Sequence, residues 1–215
     1  MNYQKELETI IQQEKKPGKR LFLHSCCAPC SSYVLEYLSA FFSITVFYYN
    51  PNISVEEEYR HRMEEQKRFI EEFNQKNQDH FPISFLEGNH EPETYFSRVR
   101  GYEQAPEGGE RCRNCFELRL EETARQASQQ GYDYFCTTLT ISPLKNADVI
   151  NTIGESLAKK WNISFLPADF KKKNGYKRSI EMSREYNLYR QDFCGCVFSK
   201  SERETGRRIA ARSER

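Results

Sequence analysis

Long hydrophobic runs are missing from the sequence, and their absence excludes a membrane-spanning helix. The longest apolar-rich stretch, residues 40–49, is about half of the roughly 20 residues that such a helix requires. Residues 1–20 are charged and lack the apolar core and the small-residue cleavage site of a secretory signal. Internal repeats and low-complexity segments are absent as well. We therefore expect a cytoplasmic protein with no membrane partner.

A net charge is also nearly absent, since 32 Lys and Arg stand against 31 Asp and Glu. The charges are unevenly distributed, because residues 171–215 carry +7 and the preceding 170 residues carry −6. A basic surface is typical of a protein that binds a phosphate-rich partner. One run of charges favours such a partner because it interleaves with Phe170 and Tyr176, which can stack on bases. These charges are Lys171, Lys172, Lys173, Lys177 and Arg178.

Strand-like and helix-like segments alternate along the chain. Runs of β-branched and aromatic residues predict five buried strands, over residues 20–25, 43–49, 81–86, 132–138 and 163–166. Amphipathic helices separate them, including a long helix with Ser54 as its predicted cap and a helix that Gly131 ends. We predict an α/β fold with a parallel sheet covered by helices on both faces, in which ligands bind beyond the carboxyl ends of the strands.

The length of 215 residues and the 38% of hydrophobic residues predict one domain over the whole chain, residues 1–215. This composition excludes disorder for most of the length. Residues 200–215 are predicted to form a basic helical C-terminal extension. Its mixture of Glu and Arg fits a solvated helix as well as a binding surface.

Seven of the eight cysteines fall into three tight groups, in a chain with no mark of an oxidising compartment. Clustered thiols in a reducing cytosol more often ligate metal or carry redox chemistry than form structural disulfides. The eighth, Cys136, lies in a predicted strand and is expected in the core. The three groups are Cys26, Cys27 and Cys30 after the first strand, Cys112 and Cys115 at a helix start, and Cys194 with Cys196.

Three interpretations fit the first two groups. Cys27 and Cys30 after a strand and before a helix have the local form of a thioredoxin-like dithiol. Four thiolates also suit structural zinc or an iron–sulfur cluster, and both share the Cys-x-x-Cys spacing. The amide groups at a helix N-terminus are expected to lower the pKa of Cys112 and Cys115, which favours metal binding. A metal is the better interpretation because a dithiol exchanger does not require so many sulfurs.

The third group has a single residue, Gly195, between its two cysteines. A disulfide across so short a span closes a strained ring, and strained disulfides are the labile, oxidising kind. This favours a redox role. The alternative is that Cys194 and Cys196 are two further metal ligands and that Gly195 permits the tight turn between them.

Many short segments of the chain match one family in order and with family-like spacing. Together they resemble the epoxyqueuosine reductases of the QueH type, from about Leu21 to Ser199. The matching segments are residues 24–30, 49–53, 58–60, 111–115, 137–139, 169–172, 174–176, 188–191 and 194–196, with Arg119, Leu120, Ser142, Pro143, Lys145, Ser179 and Ser183.

The resemblance implies a Rossmann-like fold akin to adenine-nucleotide α-hydrolase-like domains. It implies an oxidoreductase that reduces epoxyqueuosine at the wobble position of tRNA to queuosine without cobalamin. The implied cofactor is a [4Fe–4S] cluster, with an additional iron beside it for which Cys30 is a possible ligand. Cys194 and Cys196 would be a redox-active pair, supplied by an electron donor that the sequence does not identify. The implied cluster ligands are Cys26, Cys27, Cys112 and Cys115.

Reduction of an epoxide to an alkene takes two electrons and protonation of a departing oxygen, and ordinary side chains do not supply electrons at the required potential. An iron–sulfur centre reaches that range, and an open iron can act as a Lewis acid. Asp169 or Tyr189 is hypothesised to help with protons. The residues assigned to the anticodon stem–loop are Arg111, Arg119, Lys145 and the charged run from Lys171 to Arg178.

Two other functions compete with the reductase. An ATP-dependent, sulfur-inserting tRNA-modifying enzyme of the same fold would carry a Ser-Gly-Gly-x-Asp-Ser-like phosphate loop after the first strand. That position holds residues 24–30, with three cysteines, instead. A zinc-stabilised RNA-binding module would fit the same thiols, and the metal content of anaerobically purified protein separates it from an iron–sulfur reductase.

Overall fold

One parallel β-sheet organises the protein. The computed structural model describes residues 2–14 and 17–213 and contains five strands. They are β1 (Lys19–His24), β2 (Phe42–Tyr48), β3 (Ser84–Glu87), β4 (Tyr134–Thr137) and β5 (Ser164–Phe165). The strand order is β3-β2-β1-β4-β5, and all pairs are parallel. The predicted α/β fold with a parallel sheet is confirmed.

Eight α-helices and one short 3-10 helix, Thr138–Ile141, surround this sheet in the described part of the chain. None of them is both long enough and apolar enough to cross a membrane. The helix predicted for the C-terminal extension is α8, although residues 214 and 215 and the side chains from residue 206 onward lie outside the described structure. The α-helices are α1 (Tyr3–Gln13), α2 (Ala28–Leu38), α3 (Glu56–Lys76), α4 (Pro92–Arg98), α5 (Glu110–Gln129), α6 (Ala147–Trp161), α7 (Gly175–Glu185) and α8 (Val197–Ser213).

The central strand β1 feeds a hydrophobic core on each face of the sheet, because successive side chains of a strand point to opposite faces. Leu21 and Leu23 join the core formed with α2, α3 and α7. Phe22 joins a second core, formed with α5 and α6. Both faces of the sheet are thus covered, and the carboxyl ends of its strands form one edge at which the loops gather.

Two local predictions differ from the structure. Helix α3 begins at Glu56 with Val55 at its cap position, and no side-chain hydrogen bond caps it, so the assignment of Ser54 as the cap is wrong. Three glutamates in its first turn favour the positive end of the helix dipole instead. Strand β3 begins at Ser84 rather than near residue 81, because the backbone N–H and carbonyl of Ile83 bond to the side chain of Asn74 (both 2.9 Å).

Candidate metal and redox site

A buried histidine joins the carboxyl ends of three strands. His24, the last residue of β1, is fully buried between Thr137 Oγ1 (2.9 Å from Nδ1) and the Tyr49 carbonyl (3.2 Å from Nε2). Burial, together with the nearby charge of Arg119, lowers the pKa of His24 to about 3, so the ring is neutral. Because a carbonyl only accepts, Nε2 donates to Tyr49, and Nδ1 accepts from the Thr137 hydroxyl.

We expect a large loss of stability when His24 is replaced by leucine. His24→Leu leaves the Tyr49 carbonyl and the Thr137 hydroxyl buried without this partner, at about 1–3 kcal/mol each. Urea unfolding of the metal-free protein should show a free energy of unfolding about 2–5 kcal/mol lower than for the wild type. The matched control is His61→Leu at an exposed position, expected to change stability by less than about 0.5 kcal/mol. Equal midpoints for the two variants would contradict a structural role of His24.

The first group of thiols lies directly after this histidine, where β1 turns into α2. The sulfur atoms of Cys26, Cys27 and Cys30 all lie within 4.8 Å of one another, an arrangement that could hold a metal ion. The Sγ atoms of Cys26 and Cys27 are 3.7 Å apart. Cys27 is the N-cap of α2 and Pro29 occupies the first turn, where a missing N–H costs nothing.

A buried network of hydrogen bonds fixes the loop between β1 and α2 that carries the first group of thiols. The hydroxyls of Ser25 and Ser31 both donate to Gln66 Oε1, at 2.8 and 3.0 Å. Asn50 Nδ2 donates to the Ser25 carbonyl at 2.9 Å. All four residues are buried, so the network fixes the backbone on both sides of Cys26 and Cys27.

The three thiols share their charge unequally. Hydrogen bonds from the Cys27 and Cys30 thiols hold the pKa of Cys26 well below its ordinary value. Burial, together with its hydrogen bond to Cys26, raises the pKa of Cys27 to about 12. The pKa of Cys30 also lies well above its ordinary value because its thiol donates to Cys26. One thiolate, on Cys26, is therefore stabilised by two neutral thiols.

The second group lies in the first turn of α5. The Gly108 N–H donates to Cys112 Sγ at 3.2 Å, and Cys115 lies one turn further along, buried. The expectation that the helix N-terminus lowers the pKa of these thiols is wrong. Burial raises the pKa of Cys115 to about 12 and also raises that of Cys112, because removal of the thiolate from water outweighs the helix amides.

The third group is a turn that Arg62 holds from helix α3. The guanidinium is 1% exposed, and its Nη1 and Nη2 donate to the carbonyls of Cys194 (3.2 Å) and Phe193 (3.4 Å). Its Nε donates to Glu58 at 2.6 Å, which fixes the group from the other side. A buried arginine thus uses two nitrogens to hold the backbone of the Cys194–Cys196 turn and the third to pair with Glu58.

Gly195 is required inside this turn for two reasons. Its φ of +117° lies in a region that L side chains rarely adopt. A Cβ there would also lie 2.8 Å from Ile53 Cγ1. The turn leaves Cys194 half-buried, whereas Cys196 is 6% exposed and accepts a hydrogen bond from the Ser199 N–H at 3.4 Å. All eight cysteines of the chain are free thiols.

A single guanidinium lies within electrostatic reach of all three groups. Arg119 of α5 is 1% exposed, and its Nε donates to the Cys115 carbonyl at 3.3 Å. Burial favours a lower pKa of Arg119, but its attraction to the ionised forms of Cys115, Cys194 and Cys26 outweighs burial and raises the pKa above its ordinary value. Its Nη1 and Nη2 have no hydrogen-bond partner among the described residues. An anion held between these thiols would supply the missing acceptors.

A cavity of about 750 Å³ opens beside the thiols. Cys26, Cys30 and Cys194 line it from two of the groups, and Lys145 lines it from the loop after β4. Burial favours a lower pKa of Lys145, but the attraction of its ammonium to the ionised forms of Cys194, Cys26 and Cys30, of which Cys26 is the thiolate in its group, outweighs burial and raises the pKa above its ordinary value, so the ammonium stays protonated. The volume lies within the range of pockets that enclose a small molecule or a nucleoside. Its lining also includes Tyr176, Arg190, Gln191, Asp192, Phe193 and Arg203.

Comparison with known proteins identifies the family. The family model described as epoxyqueuosine reductase QueH matches residues 21–202. The chain belongs to the QueH family. A relative named epoxyqueuosine reductase QueH from Streptococcus pyogenes serotype M1 is 45% identical over 201 residues, which cover 93% of this chain and 78% of the relative. Relatives of the same name from Staphylococcus epidermidis (44% identity, 93% and 84% coverage) and Haemophilus influenzae (37% identity, 87% and 76% coverage) are also similar.

In this QueH chain, two arginines predicted to contact RNA are buried. Arg119 is 1% exposed and Arg111 is 2% exposed. Arg111 Nη1 donates to the carbonyls of Glu103 (2.8 Å) and Ala105 (2.5 Å), and Nη2 forms an ion pair with Glu202 at 2.7 Å. Neither guanidinium is therefore placed to contact a phosphate group from solution.

The charged run over residues 171–178 spans the end of the loop after β5 and the first turn of α7. Arg178 forms a two-pronged ion pair with Glu36 of α2, at 2.6 Å for the closest atoms, and Lys173 pairs with Glu8 of α1. These pairs tie α7 and its preceding loop to the rest of the fold. The exposed members of the run also include Lys172 and Lys177.

Neither of the two predicted proton-transfer residues lines the cavity beside the thiols, in the part of the chain that the structure describes. Asp169 forms an ion pair with Lys171 at 2.6 Å and borders a different cavity, next to α1. The Tyr189 hydroxyl contacts Glu58 at 3.3 Å, and its ring packs against His61. Both residues have structural partners that account for their positions.

Arg62 and Gln66, which hold the thiol groups in place, were not predicted from the sequence. Both lie on the buried face of α3, at helical spacing with Tyr59, Phe69 and Phe73. A charged residue on the apolar face of an amphipathic helix was the available signal, because such a charge needs a buried partner.

Proposed function

We propose that this protein is an oxidoreductase that reduces the epoxide of epoxyqueuosine at the wobble position of tRNA to queuosine. The observation that carries the proposal is the placement of three thiol groups around one buried guanidinium, beside a cavity at the carboxyl edge of the sheet. Ligands of parallel α/β folds bind at this edge. Membership of the QueH family, whose similar members are named epoxyqueuosine reductase, supports the same reaction.

We propose a [4Fe–4S] cluster as the cofactor, held by Cys26, Cys27, Cys112 and Cys115, with an additional iron next to Cys30. Thiolate sulfur is the preferred donor for iron–sulfur clusters and for zinc. One observation favours a cluster with a further iron over a single zinc ion, which four thiolates saturate: seven cysteines lie in the three thiol groups. When bound, the cluster supplies electrons at low potential.

The atoms and electrons balance if Cys194 and Cys196 act as a redox pair. Loss of the epoxide oxygen as water, leaving an alkene, consumes two electrons and two protons. Oxidation of two thiols to one disulfide releases two electrons and two protons. An external reductant of the dithiol class, or another two-electron donor, then returns the disulfide to thiols. Cys194 lines the cavity and Cys196 lies behind it, so the pair connects the substrate side to the interior.

We propose Lys145 as the group that protonates the departing oxygen. It lines the cavity, and the neighbouring thiols keep its ammonium charged. The roles in proton transfer hypothesised for Asp169 and Tyr189 have less support, because each has a structural partner and neither borders this cavity. A protonated ammonium also attracts phosphate, so Lys145 fits its predicted contact with the tRNA equally well.

For the remaining tRNA contacts we propose the exposed part of the charged run before and within α7. Lys172, Lys173 and Lys177 are exposed and lie within four residues of Tyr176, which lines the cavity, so we propose that a nucleotide in the cavity brings its neighbouring phosphates toward them and toward the half-buried Lys171. Arg178 contributes mainly through its ion pair with Glu36, which orients α7.

Reversal of two charges in this run is expected to weaken tRNA binding. Lys172→Glu combined with Lys177→Glu should lower the affinity for the anticodon stem–loop and reduce the slope of log K against log salt by about 1 to 2. Filter binding at several salt concentrations measures both quantities. The matched control is Lys159→Glu, which is also exposed but lies on α6, outside the run. If the slope were the same for the double variant and the wild type, the RNA would have to bind a different surface of the protein.

One experiment tests the reaction and the cofactor together. Protein purified without oxygen is analysed for iron, sulfide and zinc, and then incubated with a reductant and tRNA that carries epoxyqueuosine. Mass spectrometry of the digested nucleosides should show queuosine only with protein that contains iron and sulfide. Turnover by a zinc-only protein would refute the cluster, and iron-loaded protein without turnover would refute the reaction.

A further inference from the structure

Arg119 is a buried charge whose terminal nitrogens lack hydrogen-bond partners among the described residues, and its guanidinium lies 5.7 Å from the centroid of the Phe116 ring. Its Nε donates to the Cys115 carbonyl, but Nη1 and Nη2 meet no acceptor in the described residues. The neighbouring Arg62 shows the contrast, since its three nitrogens bond to Glu58 and to two carbonyls of the redox turn. A buried charge is normally paired because its removal from water is costly. The unmatched donors of Arg119 therefore call for an acceptor that is bound rather than built in.

The surroundings of Arg119 specify the chemistry of that acceptor. The thiols that act on its charge are Cys115, Cys194, Cys26 and Cys112, which come from all three groups. Sulfur atoms are soft acceptors, and hydrogen bonds to the sulfurs of a cluster are one of the ways in which proteins set its potential. An RNA phosphate is a poor occupant, because the side chain is 1% exposed.

We propose that Arg119 contacts the iron–sulfur centre, donates hydrogen bonds from both terminal nitrogens to its sulfurs, and raises its reduction potential. The inference rests on the proposed cofactor. The direction follows from charge, because reduction adds a negative charge to the centre and a fixed positive charge beside it stabilises the reduced form. The residue thereby makes the centre easier to reload with electrons between turnovers.

The test compares the wild type with Arg119→Met, which has similar length and no charge, and Arg119→Lys, which keeps the charge. Each protein is reconstituted with iron and sulfide, and its midpoint potential is measured by redox titration with detection by electron paramagnetic resonance. Arg119→Met is expected to weaken the reduced form at least tenfold relative to the oxidised form, a fall of about 59 mV for a one-electron couple. Arg119→Lys should lie between the two.

Each outcome decides the question. An unchanged potential in iron-loaded Arg119→Met overturns the inference. Where Arg119→Met holds no iron, retention of iron by Arg119→Lys supports it, because the charge alone has rescued binding. Loss of iron from both variants overturns it, since the role would then be one of shape. A wild type that binds no iron and sulfide would instead refute the proposed cofactor, which separates the two failures.

Discussion

Replacement of Cys112 by alanine is expected to remove most of the iron from the protein and nearly all of its turnover. The thiol lies in the first turn of α5, where the Gly108 N–H donates to it at 3.2 Å and the Cys115 thiol follows one turn later. Loss of a partner that merely supports a ligand costs about 10–100-fold in metal affinity, so loss of a ligand should cost more. Iron and sulfide content after anaerobic purification, together with queuosine formation, measures the effect.

Cys136→Ala is the matched control for this experiment. Cys136 lies in β4, is 1% exposed, and its thiol donates to the Leu166 carbonyl at 3.1 Å, so it belongs to the core. The variant should lose some stability but keep its iron and its turnover per folded molecule. Undiminished iron and turnover in Cys112→Ala would refute the assignment of the second thiol group to the cluster.

The fold could be predicted because its signals are local and repeated. Alternation of buried strands with amphipathic helices specifies a parallel α/β sheet, and Gly131, with φ +67°, ends α5 as predicted. Element ends were less predictable. The start of α3 depends on helix-dipole charges rather than on Ser54, and the start of β3 depends on Asn74, a side chain from another element. Contacts between residues that are far apart in the sequence cannot be predicted from a local sequence pattern.

The thiol groups could be predicted because both the spacing of the cysteines and their positions at strand and helix ends follow directly from the amino-acid sequence. The environment of Arg119 could have been inferred in part. It lies between Phe116 and Thr123 at helical spacing, on the face of α5 that carries Cys115 and Leu120, so it faces the interior. A count of basic residues cannot separate such a buried arginine from an exposed one, which is why charge alone pointed to RNA.

The pKa values of the thiols depend more on how deeply each thiol is buried in the protein than on its distance from the N-terminus of a helix. Helix amides act over one turn, whereas burial at Cys115 removes the thiolate from water altogether, and its pKa rises to about 12. Only Cys26, which receives hydrogen bonds from two thiols, has a strongly lowered pKa. Sequence gives the position of a thiol on a helix but not the depth at which the helix is packed.

Substitution of serine for either cysteine of the redox turn is expected to abolish turnover while the iron remains. One thiol cannot deliver two electrons by forming a disulfide, so Cys194→Ser and Cys196→Ser should each lower turnover by about 10³-fold or more, as for removal of a group that takes part in the chemistry. Neither side chain is in the proposed cluster set, so iron content should match that of the wild type. Turnover at the wild-type rate in either variant would exclude the pair from the reaction.

The two variants should differ in how their remaining thiol reacts, because the turn exposes the two cysteines unequally. Cys194 lines the cavity, whereas Cys196 is 6% exposed and packs with Tyr95, Val99 and Cys115. In Cys196→Ser the remaining Cys194 should be alkylated rapidly and form a mixed disulfide with a small thiol, and in Cys194→Ser the remaining Cys196 should react slowly. Peptide mass spectrometry after a timed pulse of iodoacetamide measures both rates. If Cys196 reacted faster, the external reductant would have to attack that sulfur first, and the proposed order of the relay, with Cys194 on the outside, would be reversed.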